Sequence, residues 1–243
     1  MPLHIRASRD QVAERAVICG DPARVRQIAS MLDGARLVNE HRGLITYTGN
    51  YKGVPITVAT HGIGGPSAAL VVEELAQLGV KTFVRLGTAG ALVEELDAGD
   101  VVVASGAFHR SGGLFSQYIG EGVCASAVPN FELTRRIVEE LERRGVKHVV
   151  APVVSNDAFY AESEEFAKWW SSRGAVAVEM EAATLFAVAS LRRLRASAVL
   201  IICDSLVRDL GFLTAEELRP YVERTASAVL EALARERSRR EGA

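Results

Sequence analysis

The sequence predicts a single-domain α/β protein in which helices cover both faces of a mixed central β-sheet, giving three layers. Short apolar runs rich in valine, isoleucine and alanine alternate with segments whose apolar residues recur at helical spacing. Strands that are apolar on both faces are typical of a sheet buried between helices. The 243 residues contain no internal repeat and no Pro/Ser-rich linker, so residues 1–243 are expected to form one domain.

The strands are predicted from the apolar, β-branched runs bounded by turn residues. In chain order they are residues 15–19, 44–50, 54–60, 82–86, 101–104, 149–154, 176–178 and 198–203. The turn at residues 51–53 joins the second and third of these strands as a hairpin.

The helices are predicted from apolar periodicity together with their end signals. Asp21 as N-cap and Pro22 at the first helical position open the first helix. Gly79 and Gly145 follow the next two helices and end them. The later helical segments are residues 66–78, 130–144, 181–194 and 214–235.

Composition excludes several classes of function. The formal net charge of −2 argues against a nucleic-acid or membrane partner. The arginine-rich segments 192–195 and 235–240 are expected to be a solvated face and a frayed tail. Because the N-terminus lacks an apolar signal region and no apolar stretch reaches membrane length, we expect a soluble cytoplasmic protein.

The three cysteines, Cys19, Cys124 and Cys203, are too few and too scattered for a disulfide framework or a structural zinc site. They are expected to be free thiols in a reducing cytosol, and no metal site is predicted. The odd count leaves one intersubunit disulfide open.

Two glutamates, Glu179 and Glu181, lie on either side of Met180 at the end of an almost wholly apolar run. An ionised carboxylate in such surroundings is costly unless other groups satisfy it. The pair therefore indicates a polar ligand that needs several hydrogen bonds. The alternative is that both glutamates open a helix, where negative charge suits the helix dipole.

Anion-binding groups are predicted near the carboxyl ends of two strands, where ligands bind in folds of this class. Gly20 and Arg24 follow the first strand, and Arg85, Gly87 and Thr88 stand at the end of strand 82–86. Amide, hydroxyl and guanidinium donors together predict a phosphate pocket. The alternatives are an ordinary strand-to-helix turn and a structural ion pair for Arg85. The spacing fits neither a P-loop nor a dinucleotide fingerprint.

Two further strand ends carry candidate residues. Cys203 and Asp204 end the last buried strand, and a carboxyl group in that position is a candidate general acid. Its alternative role is to cap the following turn. Phe159 and Tyr160 follow strand 149–154, where an aromatic ring can stack on a planar base or simply belong to the core.

In combination, the motifs resemble those of the nucleoside phosphorylase family, which cleaves purine nucleosides and uridine. The similarity spans nearly the whole chain. The motifs are Gly20-Asp-Pro-Ala-Arg24, Asn39-Glu-His-Arg-Gly43, His61-Gly-Ile-Gly-Gly-Pro66, Arg85-Leu-Gly-Thr88, Val178-Glu-Met-Glu-Ala182 and Cys203-Asp204. The segment Asp157-Ala-Phe-Tyr-Ala-Glu162 is most similar to archaeal purine nucleoside or 5′-methylthioadenosine phosphorylases.

The resemblance implies a phosphate site and a nucleoside site in one pocket. The residues implied for phosphate are Gly20, Arg24, Arg42, Arg85, Gly87 and Thr88. Those implied for the nucleoside are His4, Phe159, Glu179, Met180, Glu181, Cys203 and Asp204. Within this set Met180 packs on the ribose, Glu181 binds its hydroxyls, and Phe159 stacks on the base with Glu179 beside it.

The resemblance also implies a reaction and an assembly. Asp204 donates a proton to purine N7, and no cofactor is needed beyond inorganic phosphate as co-substrate. Arg42 and His4 enter the site from a neighbouring subunit, so each site needs a dimer. Three such dimers form a homohexamer.

Several positions depart from the family pattern. Cys203 stands where many purine members have serine, and a thiol is a weaker hydrogen-bond donor. Arg208 and Arg219 lie near the position of an arginine that assists the acid in the bacterial purine branch, but neither aligns with it. Ser163 and Glu165 replace the glutamine and arginine of uridine-specific members, which favours purines.

Three alternatives stay open beside a purine phosphorylase. A uridine phosphorylase has the same fold but reads a pyrimidine. A purine nucleosidase uses water in place of phosphate, and the three arginines at positions 24, 42 and 85 argue against it. A non-catalytic nucleotide-binding module needs no acid such as Asp204, although fold alone does not exclude it.

Overall fold

The computed structural model describes residues 2–110 and 113–235. Its strands are β1 Arg15–Cys19, β2 Asp33–Asn39, β3 Thr46–Tyr51, β4 Val54–Thr60, β5 Thr82–Ala91, β6 Val101–Phe108, β7 His148–Ser155, β8 Ala177–Glu179 and β9 Arg195–Ser205. Its helices are α1 Pro22–Ala29, α2 Gly65–Gln77, α3 Gly113–Ile119, α4 Phe131–Arg143, α5 Glu164–Ser171, α6 Ala182–Leu191 and α7 Ala215–Ala234.

Two helical layers cover the sheet, which confirms the predicted three-layer α/β/α fold. On one face α2 and α6 pack together, and Val72 and Phe186 belong to the buried cluster beneath them. On the other face, α1, α4 and α7 contribute Ile28, Ile137 and Val229 to a second buried cluster. The long apolar strands are thus buried on both sides, as their sequences indicate.

The sheet is mixed and partly closed. The strand order is β2-β3-β4-β1-β5-β8-β7-β6-β9, and an added pairing of β5 with β9 closes five of these strands into a circuit. The closure was not predicted. It follows from the length of β5, which pairs with β9 in parallel from Thr82 to Ala91.

The edge of β5 that faces away from β9 pairs with two different strands, one after the other, and the gap between these two pairings positions the site. Pairing with β1 ends at Arg85, whereas antiparallel pairing with β8 begins at Gly90. Among the described strands, this edge of β5 therefore stays open between these two positions. We call residues 86–89 the fork.

Most predicted elements are confirmed, with small shifts at their ends. The hairpin turn consists of Lys52 and Gly53, with φ of 50° and 79°, the left-handed backbone that a two-residue turn requires. The predicted end of β5 at residue 86 is wrong, because β9 continues to pair with it to Ala91. Thr88 therefore lies within the strand.

Three elements were missed. β2 is an edge strand of mostly exposed residues with no apolar alternation, so its sequence lacks a strand signal. The helices α3 and α5 span only 7 and 8 residues, too few to show a clear period. Segment 192–195 is confirmed as partly solvated, while residues 236–240 of the arginine-rich tail lie outside the described residues.

Candidate active site

A cavity of about 620 Å³ opens at the fork. Predicted residues from five parts of the chain line it: Gly20, Arg24, Arg85, Thr88, Phe159, Glu179, Met180, Glu181, Cys203 and Asp204. The predicted residues His4, Arg42 and Gly87 do not line this cavity. The fork thus brings the ends of β1, β8 and β9 around one space.

Arg85 is buried at the centre of the cavity wall, with 4% of its surface exposed. Its Nε donates to Glu179 Oε2 at 3.0 Å, and its Nη2 lies 2.5 Å from Glu181 Oε2. Its Nη1 lies 3.2 Å from Nε2 of His61. A guanidinium carries five N–H groups, so each terminal nitrogen keeps one uncommitted donor for a ligand oxygen. The ion-pair alternative and the ligand-binding role are therefore compatible.

Glu179 has a structural function that its sequence position only partly indicates. Both of its oxygens accept hydrogen bonds from protein groups, including the Ser155 hydroxyl and the main-chain amides of Glu181 and Ala182. These amides are at the start of α6, where a negative charge stabilises the helix dipole. The alternative interpretation of the pair as helix-opening residues is therefore right for Glu179.

Glu181 is more available to a ligand than Glu179. Its Oε1 accepts from the Gly64 amide at 2.6 Å, and it lines the cavity. Gly64 belongs to the glycine-rich run after β4 and has a φ of 87°, which is readily adopted only without a side chain. Burial raises the pKa of Glu181 above its ordinary value, against the opposing effect of Arg85.

Arg24 and the fork supply further donors. Arg24 is 9% exposed, and its Nη1 donates to the carbonyl oxygen of Leu86 at 3.3 Å. Successive residues of a strand direct their backbone groups to opposite edges. Because the Leu86 carbonyl faces the open edge, the Thr88 amide is expected to face it too.

Gly87 lies beneath the Arg85 guanidinium. A Cβ atom at position 87 would lie 2.6–2.8 Å from three guanidinium atoms of Arg85. Glycine is therefore needed here so that Arg85 can turn back over its own strand.

Replacing Gly87 with alanine is expected to displace the guanidinium. Overpacking of this kind costs about 1–3 kcal/mol, so we expect Gly87→Ala to raise the KM for phosphate, the co-substrate that the resemblance implies, roughly tenfold in steady-state assays. Gly106→Ala in β6 is the control, because its Cβ would meet its nearest neighbour at an ordinary 3.6 Å. An equal effect in both variants would contradict the explanation.

Asp204 is half-buried at the end of β9, and the Cys203 thiol donates to its Oδ1 at 3.0 Å. Gly90 leaves room for this carboxyl group, since a Cβ there would lie 3.3 Å from both carboxyl oxygens. Burial and the charge of Asp204 raise the pKa of Cys203, which keeps the thiol protonated as a donor. Arg208 instead binds Asp97 at 2.9 Å, and Arg219 is exposed.

The opposite wall is aromatic and acidic. Phe159 packs edge-on against Tyr160, with ring centroids 5.3 Å apart, and Phe212 also lines the cavity. Glu162 also lines the cavity, and sequence reasoning assigned it no role. Burial and the nearby negative charge of Asp204 raise the pKa of Glu162, against a hydrogen bond from Asn156. The sequence signal that could have identified Glu162 is its position as the last residue of the motif 157–162.

His4 and Arg42 lie outside the cavity of their own chain. The His4 carbonyl is 3.2 Å from Nδ1 of His41, the neighbour of Arg42. Arg42 is exposed and has a φ of 57°, a left-handed backbone that is rare for a residue with a side chain. His4 and the segment that carries Arg42 are thus neighbours outside the cavity.

Glu74 fixes the segment that carries His4. It accepts main-chain hydrogen bonds from Leu3, His4 and Ile5 at 2.7–3.2 Å, and the His4 ring nitrogen lies 2.7 Å away. Burial alone would raise the pKa of Glu74, but these hydrogen bonds outweigh it and lower the pKa below its ordinary 4.5. The ionised carboxylate is therefore the form that holds the segment.

We expect Glu74→Gln to lower the free energy of unfolding by about 1–3 kcal/mol at neutral pH. Because the pKa is lowered in the folded state, the contribution is present above the ordinary pKa and is lost as the pH falls through the folded value. Unfolding in urea across pH 7 to about 3 measures it. Glu73→Gln, which removes a surface pair with Arg192, is the control. A difference that persists undiminished at low pH would contradict the assignment.

Other features of the described residues bear on cofactors and location. Within residues 2–110 and 113–235, no cluster of three or more histidine, cysteine or acidic side chains is arranged to hold a metal ion. No helix of that part of the chain is long and apolar enough to span a membrane. Cys19 and Cys203 are buried free thiols, as predicted, and Cys124 is an exposed one.

Comparisons with known proteins agree with this geometry. The chain is 41% identical over 204 residues to a guanosine phosphorylase of Halorubrum lacusprofundi, covering 84% of this chain and 83% of the relative. It is 37% identical over 212 residues to a uridine phosphorylase of Thermococcus kodakarensis, covering 82% and 76% of the two chains. The crystal structure of a uridine phosphorylase from Vibrio fischeri superposes with a TM-score of 0.88 at 32% identity, covering 97% and 98%. Residues 14–235 match the model of the phosphorylase superfamily, and the chain therefore belongs to this family of enzymes.

Proposed function

We propose that the protein catalyses phosphorolysis of purine nucleosides. A phosphate oxygen attacks the anomeric carbon, the glycosidic bond breaks, and the purine leaves with a proton on N7. The products are the free base and ribose 1-phosphate, or its 5-methylthio analogue. The observation that carries the proposal is that one cavity is lined both by two buried arginines, Arg24 and Arg85, and by Asp204.

The arginines that line the cavity can bind an oxyanion such as phosphate. Arg24 and Arg85 supply guanidinium donors, and Thr88 adds a hydroxyl and an outward-facing amide. Two glutamates, Glu179 and Glu181, balance these two cations formally. A phosphate dianion therefore needs a further positive charge, which supports a contribution by Arg42 from a neighbouring subunit.

Asp204 and the aromatic side chains of the cavity are suited to a purine as the leaving group. Purine anion is a poor leaving group, and a proton delivered to N7 lowers the barrier. Phe159 is half exposed beside the opening, where its ring can stack on a base. Met180 and Glu181 line the same cavity, and Glu181, which is paired with Arg85, can accept hydrogen bonds from the sugar hydroxyls.

The residues after Phe159 and Tyr160 support purine over uridine. Ser163 is the N-cap of α5 and accepts from the Phe166 amide, while Glu165 accepts from the Ser163 hydroxyl. Both side chains serve the start of this helix, and neither lines the cavity.

The partners we propose are a purine nucleoside, inorganic phosphate and further copies of the chain, with no cofactor. The contact of His4 with His41, the residue before Arg42, supports a dimer in which both residues complete a neighbouring site, and three dimers would give a homohexamer. Sedimentation equilibrium tests the assembly. The buried free thiols support a cytoplasmic location.

The deciding experiment measures free base released from inosine, adenosine, guanosine, methylthioadenosine and uridine, each with and without phosphate. Phosphate-dependent release from purine nucleosides is the expected result, and the rate order identifies the preferred substrate. Release without phosphate would establish a nucleosidase, and release from uridine alone a uridine phosphorylase. Absence of release from every nucleoside would leave a binding module.

A further inference from the structure

His61 is a buried titratable residue to which the proposed reaction assigns no role. It directly follows β4 and is fully buried. Its amide donates to the Cys19 carbonyl at 2.8 Å, and its carbonyl accepts from the Ser67 hydroxyl at 2.6 Å. β1 and α2 therefore fix the backbone of His61. Its ring lies against Arg85 and Gly20, which both line the cavity.

The contact with Arg85 determines which ring nitrogen of His61 carries hydrogen. Nε2 lies 3.2 Å from Nη1 of Arg85. A guanidinium only donates hydrogen bonds, so Nε2 accepts and the hydrogen is on Nδ1. A protonated ring would have no acceptor at Nε2 and would place a second cation against Arg85.

The surroundings of His61 keep its ring neutral. Burial is the main cause that holds the pKa of His61 well below its ordinary 6.5, and the positive charges of Arg85 and Arg24 add to it. The backbone of Gly62 and of His61 itself favours the protonated ring but is outweighed, and Nδ1 has no hydrogen-bond partner among the described residues. Glu179 and Glu181, the nearest carboxylates of the cavity wall, are committed to Arg85.

We propose that His61 is a positioning residue for phosphate binding, because it holds Nη1 of Arg85 and so directs the two uncommitted guanidinium donors into the cavity. The glutamates hold Nε and Nη2 alone, so Nη1 has no other fixed partner among the described residues. The same ring packs beneath Gly20, whose Cβ position would lie 3.6 Å from His61 Cε1. This inference rests on the proposed phosphorolysis.

The test compares wild-type protein with His61→Leu, His61→Gln and His61→Asn. KM for phosphate and for the nucleoside are measured separately, and a thermal melt reports folding. A hydrogen bond to a charged group contributes about 1.5–3 kcal/mol, so we expect His61→Leu to raise the KM for phosphate roughly 10- to 100-fold. The KM for the nucleoside is expected to change little.

The two amide variants separate positioning from packing. The side-chain oxygen of glutamine reaches the place of Nε2, whereas that of asparagine ends near Nδ1, so we expect Gln but not Asn to restore phosphate binding. His148→Leu is the control, because this half-buried histidine binds only the Val146 carbonyl in the described structure.

Each other outcome has a defined meaning. An unchanged KM for phosphate in His61→Leu, or equal effects of Gln and Asn, would overturn the inference. So would a parallel rise in both KM values. If His61→Leu does not fold, the comparison of His61→Gln with His61→Asn still tests the inference. Wild-type cleavage that needs no phosphate would instead overturn the proposed function, and this is measured before any variant.

Discussion

Asp204→Asn is expected to lower kcat for inosine by roughly 10²- to 10⁴-fold, the usual contribution of a general acid. Asparagine keeps the shape of the side chain and a hydrogen bond to N7 but has no proton to transfer. The KM for phosphate is expected to stay near that of the wild type, because among the described residues Asp204 is hydrogen-bonded to Cys203 and forms no ion pair with Arg24 or Arg85. Steady-state assays of base release measure both quantities.

A nucleoside methylated at N7 provides the control for this prediction. Its base carries positive charge before the bond breaks, so it needs no acid, and its turnover by Asp204→Asn is expected to equal that by the wild type. Asp209→Asn, an exposed residue of the same segment, controls for the substitution itself. Unchanged turnover of inosine by Asp204→Asn would show that Asp204 is not the acid.

Arg85→Met is expected to have the largest effect on stability. The substitution leaves Glu179 and Glu181 buried without their cation, and breaking a buried pair in this way costs about 3–5 kcal/mol. Phosphate-dependent turnover should be lost as well, since both uncommitted donors disappear. Unfolding in urea, compared at equal protein concentration, gives the stability change.

A second substitution separates the two roles of Arg85. The double variant Arg85→Met with Glu181→Gln removes one unpaired carboxylate, so we expect part of the stability to return while activity stays absent. Arg192→Met breaks an exposed pair with Glu73 and should change the stability by less than about 1 kcal/mol. If Arg85→Met were as stable as the wild type, the buried charges would not be paired as described.

The sequence was sufficient for the layers but not for the closure of the sheet. Apolar runs such as β1 show their burial directly, because each residue contacts the core on one face or the other. The second half of β5 contains Gly87 and Gly90, which indicate a turn. Pairing with β9, more than a hundred residues away, and with β8 from Gly90 keeps this segment extended, and no local pattern reports such pairing.

The same limit applies to the site. The residues around Glu179 and Arg85 were predicted as polar groups in apolar surroundings, and the cavity contains them. Their partners were not predictable, because Arg85 and Glu179 are 94 residues apart in the chain. His61 was part of a recognised motif, but its role depends on a contact with Arg85 that the motif does not show.

The fork divides the cavity into a part that resists change and a part that tolerates it. The part around Arg85 is formed by residues of β5, including Gly87, which pairing with β9 and the close guanidinium hold in place, so few substitutions there preserve the geometry. The part around Phe159, Glu162 and Phe212 is formed by the segments that connect β7 to α5 and β9 to α7. Substitutions in the second part can therefore change which nucleobase the proposed enzyme binds, while the proposed phosphate site stays the same. Relatives named for guanosine and for uridine on one architecture are the expected outcome of such a division.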